Sequence, residues 1–191
     1  MINDKVINDV ISDHLKIIDN LRSIYSDDIS SACQKIIEVI KNGGTIFFCG
    51  NGGSAADCQH LAAEFVGRFE LERKPLKAIS LTVDSSALTC ISNDYDFDNV
   101  FSRQLEALGN PGDLLIAIST SGQSKNIINC LIKACNMKIE TIALLGKDGG
   151  MAKDLAELKL IVPSSSTARI QEAHILLGHI FCLAIDNEFL K

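Results

Sequence analysis

Apolar positions recur at helical spacing through the first forty residues: Val6, Val10, Ile11, Ile17, Ile18 and Leu21, then Ile29, Cys33, Ile36, Ile37 and Ile40. The interval predicts two amphipathic helices over 4–40, broken near Ser26-Asp27-Asp28, whose small polar side chains would cap the second. Such a pair buries its own stripe poorly and needs the rest of the chain, or another subunit, to cover it. From residue 45 the pattern changes to short β-rich runs: Thr45–Cys49, Lys77–Leu81, Leu114–Ser119, Glu140–Leu145 and Lys159–Val162. Four of these are strongly apolar, as strands covered on both faces of a parallel sheet must be. Helical patterns lie at about 54–68, 84–92, 98–108, 124–136 and 150–156, and a last one covers about 167–189. Alternating strands and helices predict a doubly wound α/β domain, a parallel sheet in a three-layer sandwich. We read 1–191 as a single domain, with an N-terminal helical arm over 1–42 and an α/β core over 43–191.

Composition narrows the partners. Apolar residues make up 47% and charged residues 22% of 191, which supports a buried core and excludes global disorder. Eighteen Lys and Arg against 24 Asp and Glu leave a charge of −6, so no general electrostatic footprint for nucleic acid is expected. The longest apolar run, Ile175 to Ile185, is interrupted by Gly178 and His179 and falls short of the ~18 residues that cross a bilayer. The N-terminus lacks a basic segment followed by an apolar one, so a cytoplasmic protein without membrane partners is expected. The seven cysteines include no CxxC pair and read as small buried hydrophobes rather than disulfide or metal frameworks.

Unusual chemistry follows two of the strands, where a doubly wound sheet binds its ligands. After TIFFC comes Gly50-Asn51-Gly52-Gly53-Ser54; after LLIAI comes Ser119-Thr120-Ser121-Gly122-Gln123-Ser124. Both run directly into a helix, whose N-terminus favours an anion, and glycines let backbone N–H groups approach one. Helix capping accounts for one hydroxyl, whereas four hydroxyls and a glycine suit a phosphate held without lysine or metal. Neither loop continues into GK[ST], and the first does not fit GxGxxG, which disfavours nucleotide chemistry.

The segments GNGGSAADCQH, ISTSGQSKN and TARIQEAH, with a further histidine at 179, resemble the sugar isomerase (SIS) domain. Within that group they resemble the phosphoheptose isomerases, over most of the chain. The resemblance implies a flavodoxin-like sandwich, a homotetramer with sites near subunit boundaries, and a sugar phosphate as ligand. It implies that Asn51, Gly52 and Gly53 line the sugar chain, and that Asn93 and Asp94 bind its hydroxyls, although an Asn-Asp turn alone would explain that pair. Ser119, Thr120, Ser121 and Ser124 would hold the phosphate, while Ser54 is equally placed to cap a helix. Arg68 could face the phosphate, a neighbouring subunit or solvent.

His60 and Glu64 stand four apart, on one helical face. Such a pair by itself is more often a hydrogen-bonded core contact, yet imidazole and carboxylate also ligate zinc. Gln171 and His179 are eight residues apart, ~12 Å along a helix, so spacing alone would pair Gln171 with His174 instead. The resemblance selects His179, leaves His174 a structural or interface residue, and implies a Zn²⁺ site of His60, Glu64, Gln171 and His179, with Gln171 also on substrate. Aldose–ketose isomerisation through an enediol needs one group at the carbon-bound proton and another at oxygen. Glu64 and His179 are the candidates, their order open. The expected reaction is sedoheptulose 7-phosphate to D-glycero-D-manno-heptose 7-phosphate, toward surface polysaccharide. The alternative is a non-catalytic SIS protein of the replication initiator-associating type, binding a phosphosugar or a protein partner.

Overall fold

Five strands pair in the order β2-β1-β3-β4-β5, every pair parallel, in a computed structural model that describes residues 3–190. They are β1 (Ile46–Gly50), β2 (Ala78–Ser80), β3 (Leu114–Ser119), β4 (Glu140–Gly146) and β5 (Leu158–Val162). Among the described residues six α-helices accompany them: α1 (Asp4–Lys41), α2 (Gly53–Val66), α3 (Ser85–Asp94), α4 (Val100–Leu108), α5 (Lys125–Asn136) and α6 (Thr167–Glu188). This is the expected doubly wound sandwich. The strand order reverses between β1 and β3, where the chain leaves in opposite directions and opens a crevice at the strands' carboxyl ends.

Alternation along the strands builds two cores. Ile46, Phe48, Leu114, Ile116, Ile142 and Leu144 face Ile36, Leu61, Phe65, Leu177 and Phe181, from α1, α2 and α6. Phe47, Cys49, Leu115, Ala117 and Leu145 face Phe101, Leu105, Ile127 and Leu131, from α4 and α5. Because successive strand side chains point to opposite faces, nearly continuous apolar strands supply both.

The first forty residues differ from the expectation, since α1 is one unbroken helix of 38 residues. Ser30 and Ser31 turn their hydroxyls back onto the carbonyls of Ser26 and Asp27, at 3.0 and 2.8 Å, rather than capping a new start. The polar triplet lies on the outer face, and the buried stripe passes from Leu21 to Ala32 and Ile36 without glycine or proline to interrupt it. The second half of α1 belongs to the sandwich, whereas Val6, Ile7, Val10, Ile11 and Leu15 remain exposed on this chain.

Two other helical expectations shrink. The 98–108 stretch becomes a 3₁₀ turn (Phe97–Asn99) leading into α4, and 150–156 becomes a 3₁₀ turn over Met151–Asp154. Gly149 and Gly150 precede the second turn with φ of +83° and +51°, and that bend leaves too few residues for an α-helix. The cysteines are all free; Cys49, Cys58, Cys130 and Cys182 are buried as expected, but Cys90 and Cys135 are exposed. Helix α6 is long and apolar enough to cross a membrane, yet it buries His174 and Asp186 and packs Leu177, Phe181 and Ile185 on the sheet. Its apolarity is that of a core helix.

Candidate active site

Both loops flank the β1/β3 reversal, as their sequence positions predict, and each feeds the N-terminus of a helix. The cap of α2 is Gly52, at φ +56°, so Ser54 is not the cap: it lies inside the first turn of α2 and is buried. Gly53 is required by what stands beside it, because a Cβ there would come within 2.5 Å of the Gln171 amide. The glycine loop and the start of α6 are thus in direct contact.

The second loop is braced from behind. Gly122 adopts φ +62°, and a Cβ on it would fall 2.0 Å from the Gly149 carbonyl oxygen. Ala152 N–H also donates to the Gly122 carbonyl at 3.0 Å. Inside the loop, Ser119 Oγ accepts from Gly122 N–H at 3.1 Å and Ser121 Oγ from Gln123 N–H at 3.2 Å. Ser124 is the N-cap of α5 but its hydroxyl makes no capping bond, and among the described residues neither it nor the Thr120 hydroxyl has a protein partner. Two hydroxyls and the first N–H groups of α5 are therefore available to an anion.

Helices α2 and α6 lie side by side and carry the acid–base candidates. Gly178 permits the approach, since a Cβ there would meet Leu61 at 2.6 Å. Across this seam His60 Nε2 and His179 Nε2 stand 3.0 Å apart, which for neutral rings requires one to donate and the other to accept. Glu64 Oε1 lies 3.7 Å from the other nitrogen of His60, Nδ1. Phe69, from the turn after α2, stacks on the His179 ring at 5.2 Å between centroids. His60, Glu64 and His179 are thus brought together.

Gln171 stands against Gly53 and beside Asp57. Burial pushes the Asp57 carboxyl above its usual range, and the Gln171 amide with the nearby His60 and His179 offsets this only in part. Among the described residues no three His, Cys, Asp or Glu side chains are gathered closely enough to hold an ion. The donor chemistry nevertheless fits zinc: two imidazole nitrogens 3.0 Å apart approach the roughly 3.3 Å edge of a tetrahedron with Zn–N bonds of ~2.0–2.1 Å.

Asn93 and Asp94 close α3, exposed, with the Asn93 amide donating to Asp94 at 2.8 Å, and no hydrogen bond among the described residues joins them to either loop. Arg68 is engaged with the Glu70 carbonyl and Glu72, away from the serine loop. His174 is fully buried, and its Nε2–H donates to the Leu145 carbonyl at 2.9 Å, which makes it structural.

Several residues of this site were not marked by sequence reasoning. Asn126 pairs with Asn51; Phe69 covers His179; Arg73 and Asp186 join the far ends of α2 and α6. Asn126 alone left a trace, as a polar residue ahead of Ile127 and Ile128 where the helix turns inward.

Comparison with known proteins bears on this arrangement. The family model described as SIS domain matches residues 11–146. The chain is 58% identical over 153 residues to a phosphoheptose isomerase of Nitratiruptor sp., spanning 80% of this chain and 82% of that one. It is 51% identical to that of Aliarcobacter butzleri, over 92% and 93% of the two chains. The phosphoheptose isomerase structure from Neisseria gonorrhoeae superposes with a TM-score of 0.91 at 42% identity, covering 96% of this chain and 98% of that one. The Francisella tularensis structure gives 0.93 at 35% identity, covering 98% and 100%.

Proposed function

We infer the activity from one premise: this chain belongs to the phosphoheptose isomerase family of SIS-domain proteins. It converts sedoheptulose 7-phosphate to D-glycero-D-manno-heptose 7-phosphate, which commits the sugar to heptose for surface polysaccharide. The observation that carries this reading is the meeting of His60 and His179 across the α2–α6 seam, with Glu64 one turn further along α2, the helix that the glycine loop opens. The serine loop binds the phosphate and the glycine loop lies along the sugar chain, so that the carbonyl end reaches α2 and α6. Phosphate binding, remote from the reacting carbons, supplies orientation at the chemical step.

The reaction removes a proton from C1 of the ketose, forms an enediol, and returns a proton at C2 while the oxygens exchange theirs. Glu64 and His179 divide this traffic, one at carbon and one at oxygen. Phe69 holds the His179 ring against rotation, and Arg73 accepts no part in the chemistry but fixes the backbone carbonyl of Glu64 at 2.6 Å. His60 and His179, with Glu64 and Gln171 as oxygen donors, would hold Zn²⁺, and whichever of Glu64 and His179 moves a proton would have to be free of the ion at that step. The ion would polarise the carbonyl or the adjacent hydroxyls of the open-chain sugar.

The non-catalytic alternative is not favoured, because the whole His60, Glu64, Gln171 and His179 set is present beside the loops. Self-association as a homotetramer accounts for the exposed stripe on α1. The test is NMR-detected turnover of sedoheptulose 7-phosphate, with Glu64→Gln and His179→Ala alongside. New aldose signals, reduced ~10²–10⁴-fold or lost in both variants, support the assignment. No turnover by a folded, associated wild type with or without zinc would overturn it.

A further inference from the structure

Asn126 is the second residue of α5, and only 2% of it is exposed. A buried amide is costly unless its donors and acceptors are matched. Here the match comes from the other loop, 75 residues earlier in the chain. Asn51 Nδ2 donates to Asn126 Oδ1 at 2.8 Å, and Asn126 Nδ2 donates to Asn51 Oδ1 at 2.9 Å. The two amides close a cyclic pair across the β1/β3 reversal. A cyclic pair fixes orientation as well as distance, because each amide must lie in the plane of the other to satisfy both bonds.

The pair uses one N–H and one lone pair of each side chain. Asn51 is half-buried and borders a cavity of about 130 Å³ with Gly50, Gly52, Thr82 and Phe97, so its second N–H and lone pair remain for a ligand. Asn126 is too buried to touch one. It stands two residues after Ser124, on the rigid first turn of the helix that presents the serine loop.

We propose that Asn126 is a positioning residue: through Asn51 it sets the distance and orientation between the phosphate-holding loop and the sugar-chain loop. This deepens the isomerase reading and rests on it. Phosphate affinity resides in the serine loop and the α5 N-terminus, both of which survive without the pair. What Asn126 contributes is the alignment of a substrate held at both ends, so its loss falls on kcat rather than on phosphate binding.

The test compares Asn126→Leu, Asn51→Ala and the double variant, with inorganic phosphate as competitive inhibitor. Asn126→Leu is expected to lower kcat about 10–100-fold, with KM and the phosphate inhibition constant within about threefold of wild type. In the Asn51→Ala background, Asn126→Leu is expected to change kcat less than about twofold, because a residue acting through Asn51 has nothing left to act on. An equal loss in both backgrounds, an unchanged kcat, or phosphate inhibition lost in step with kcat would overturn the proposal. The side-chain amide protons of Asn51, protected from exchange in the wild type and unprotected in Asn126→Leu, report the link without turnover. Should Asn126→Leu fail to fold, Asn126→Asp, which keeps the shape and one acceptor, takes its place with the same expected non-additivity. Absence of wild-type turnover would count against the isomerase reading, whereas unprotected Asn51 amide protons in the wild type would count against the link itself.

Discussion

Arg73 and Asp186 form an ion pair, Nε to Oδ1 at 2.8 Å, that is closed from solvent on both sides. Asp186, on α6, also accepts the backbone N–H groups of Glu70 and Leu71. The Arg73 guanidinium donates to the carbonyls of Glu64 and Phe65 in the last turn of α2, and to those of Gly67 and Lys74. The C-terminal carbonyls of α2, which have no partners within the helix, are satisfied by a cation anchored to α6. The two helices that carry His60, Glu64 and His179 are tied at this end.

Removing either partner leaves a buried, uncompensated charge. Arg73→Met and Asp186→Leu are each expected to cost about 3–5 kcal/mol, a fall in melting temperature on the order of 10 °C. The double variant is expected to cost clearly less than the sum, since the Coulombic part of the loss is shared. Calorimetric melting of the four proteins checks this, and strict additivity would rule the coupling out.

His174 makes stability depend on acid. Burial, opposed only by the hydrogen bond to Leu145, lowers its pKa from 6.5 to about 4. Its Nδ1 is buried without a partner among the described residues, so the folded state resists the second proton. The unfolded chain binds that proton at higher pH than the folded one does. The contribution is therefore intact above about 6.5 and lost as pH falls toward about 4, amounting to about 3 kcal/mol. Asp186 adds a second loss at lower pH. Burial raises its pKa, but the Leu71 and Glu70 N–H groups and Arg73 outweigh that and hold it below the usual range. Urea unfolding at pH 7, 6, 5 and 4.5 should show the first loss, and His174→Gln should flatten it.

The serine loop tolerates no side chain at its glycine. Gly122→Ala combines an unfavourable positive φ with a backbone oxygen at 2.0 Å. The loop must move off the Gly149-Gly150 turn, at a cost on the order of 1–3 kcal/mol. KM for the sugar phosphate is expected to rise about tenfold or more, while Gly112→Ala, also at positive φ but with open space around its Cβ, leaves KM unchanged. Steady-state kinetics of the pair separates loop placement from backbone strain.

Metal dependence is testable at the imidazole pair. Dialysis against a chelator is expected to lower activity and added Zn²⁺ to restore it, with His60→Ala retaining less than about a tenth of the wild-type metal content by atomic absorption. Full activity and unchanged metal content in His60→Ala would remove zinc from this site.

The sandwich was legible because its signal is local. Apolar runs such as Leu114–Ser119, each followed by small or glycine-rich turns and a helical period, determine strand, loop and helix in succession, and a parallel sheet puts those loops at one end. His60 and Glu64 were legible for the same reason, being one helical turn apart. The break expected at Ser26-Asp27-Asp28 failed because capping side chains only permit a helix to start; the stripe of Leu21, half-buried Tyr25 and Ile29, then Ala32 and Ile36, packed on the core turn after turn, decided that it did not stop. Spacing and composition did not display relations between distant segments: His60 and His179 were joined only through the family resemblance, and Asn51 paired with Asn126, Gly53 under Gln171 and Arg73 sealed against Asp186 had no mark at all. Those depend on which helix faces meet across the sheet. An isolated histidine, asparagine or arginine carries no mark of its partner, so only the tertiary packing of α2 against α6, and of α5 against the first loop, selects them.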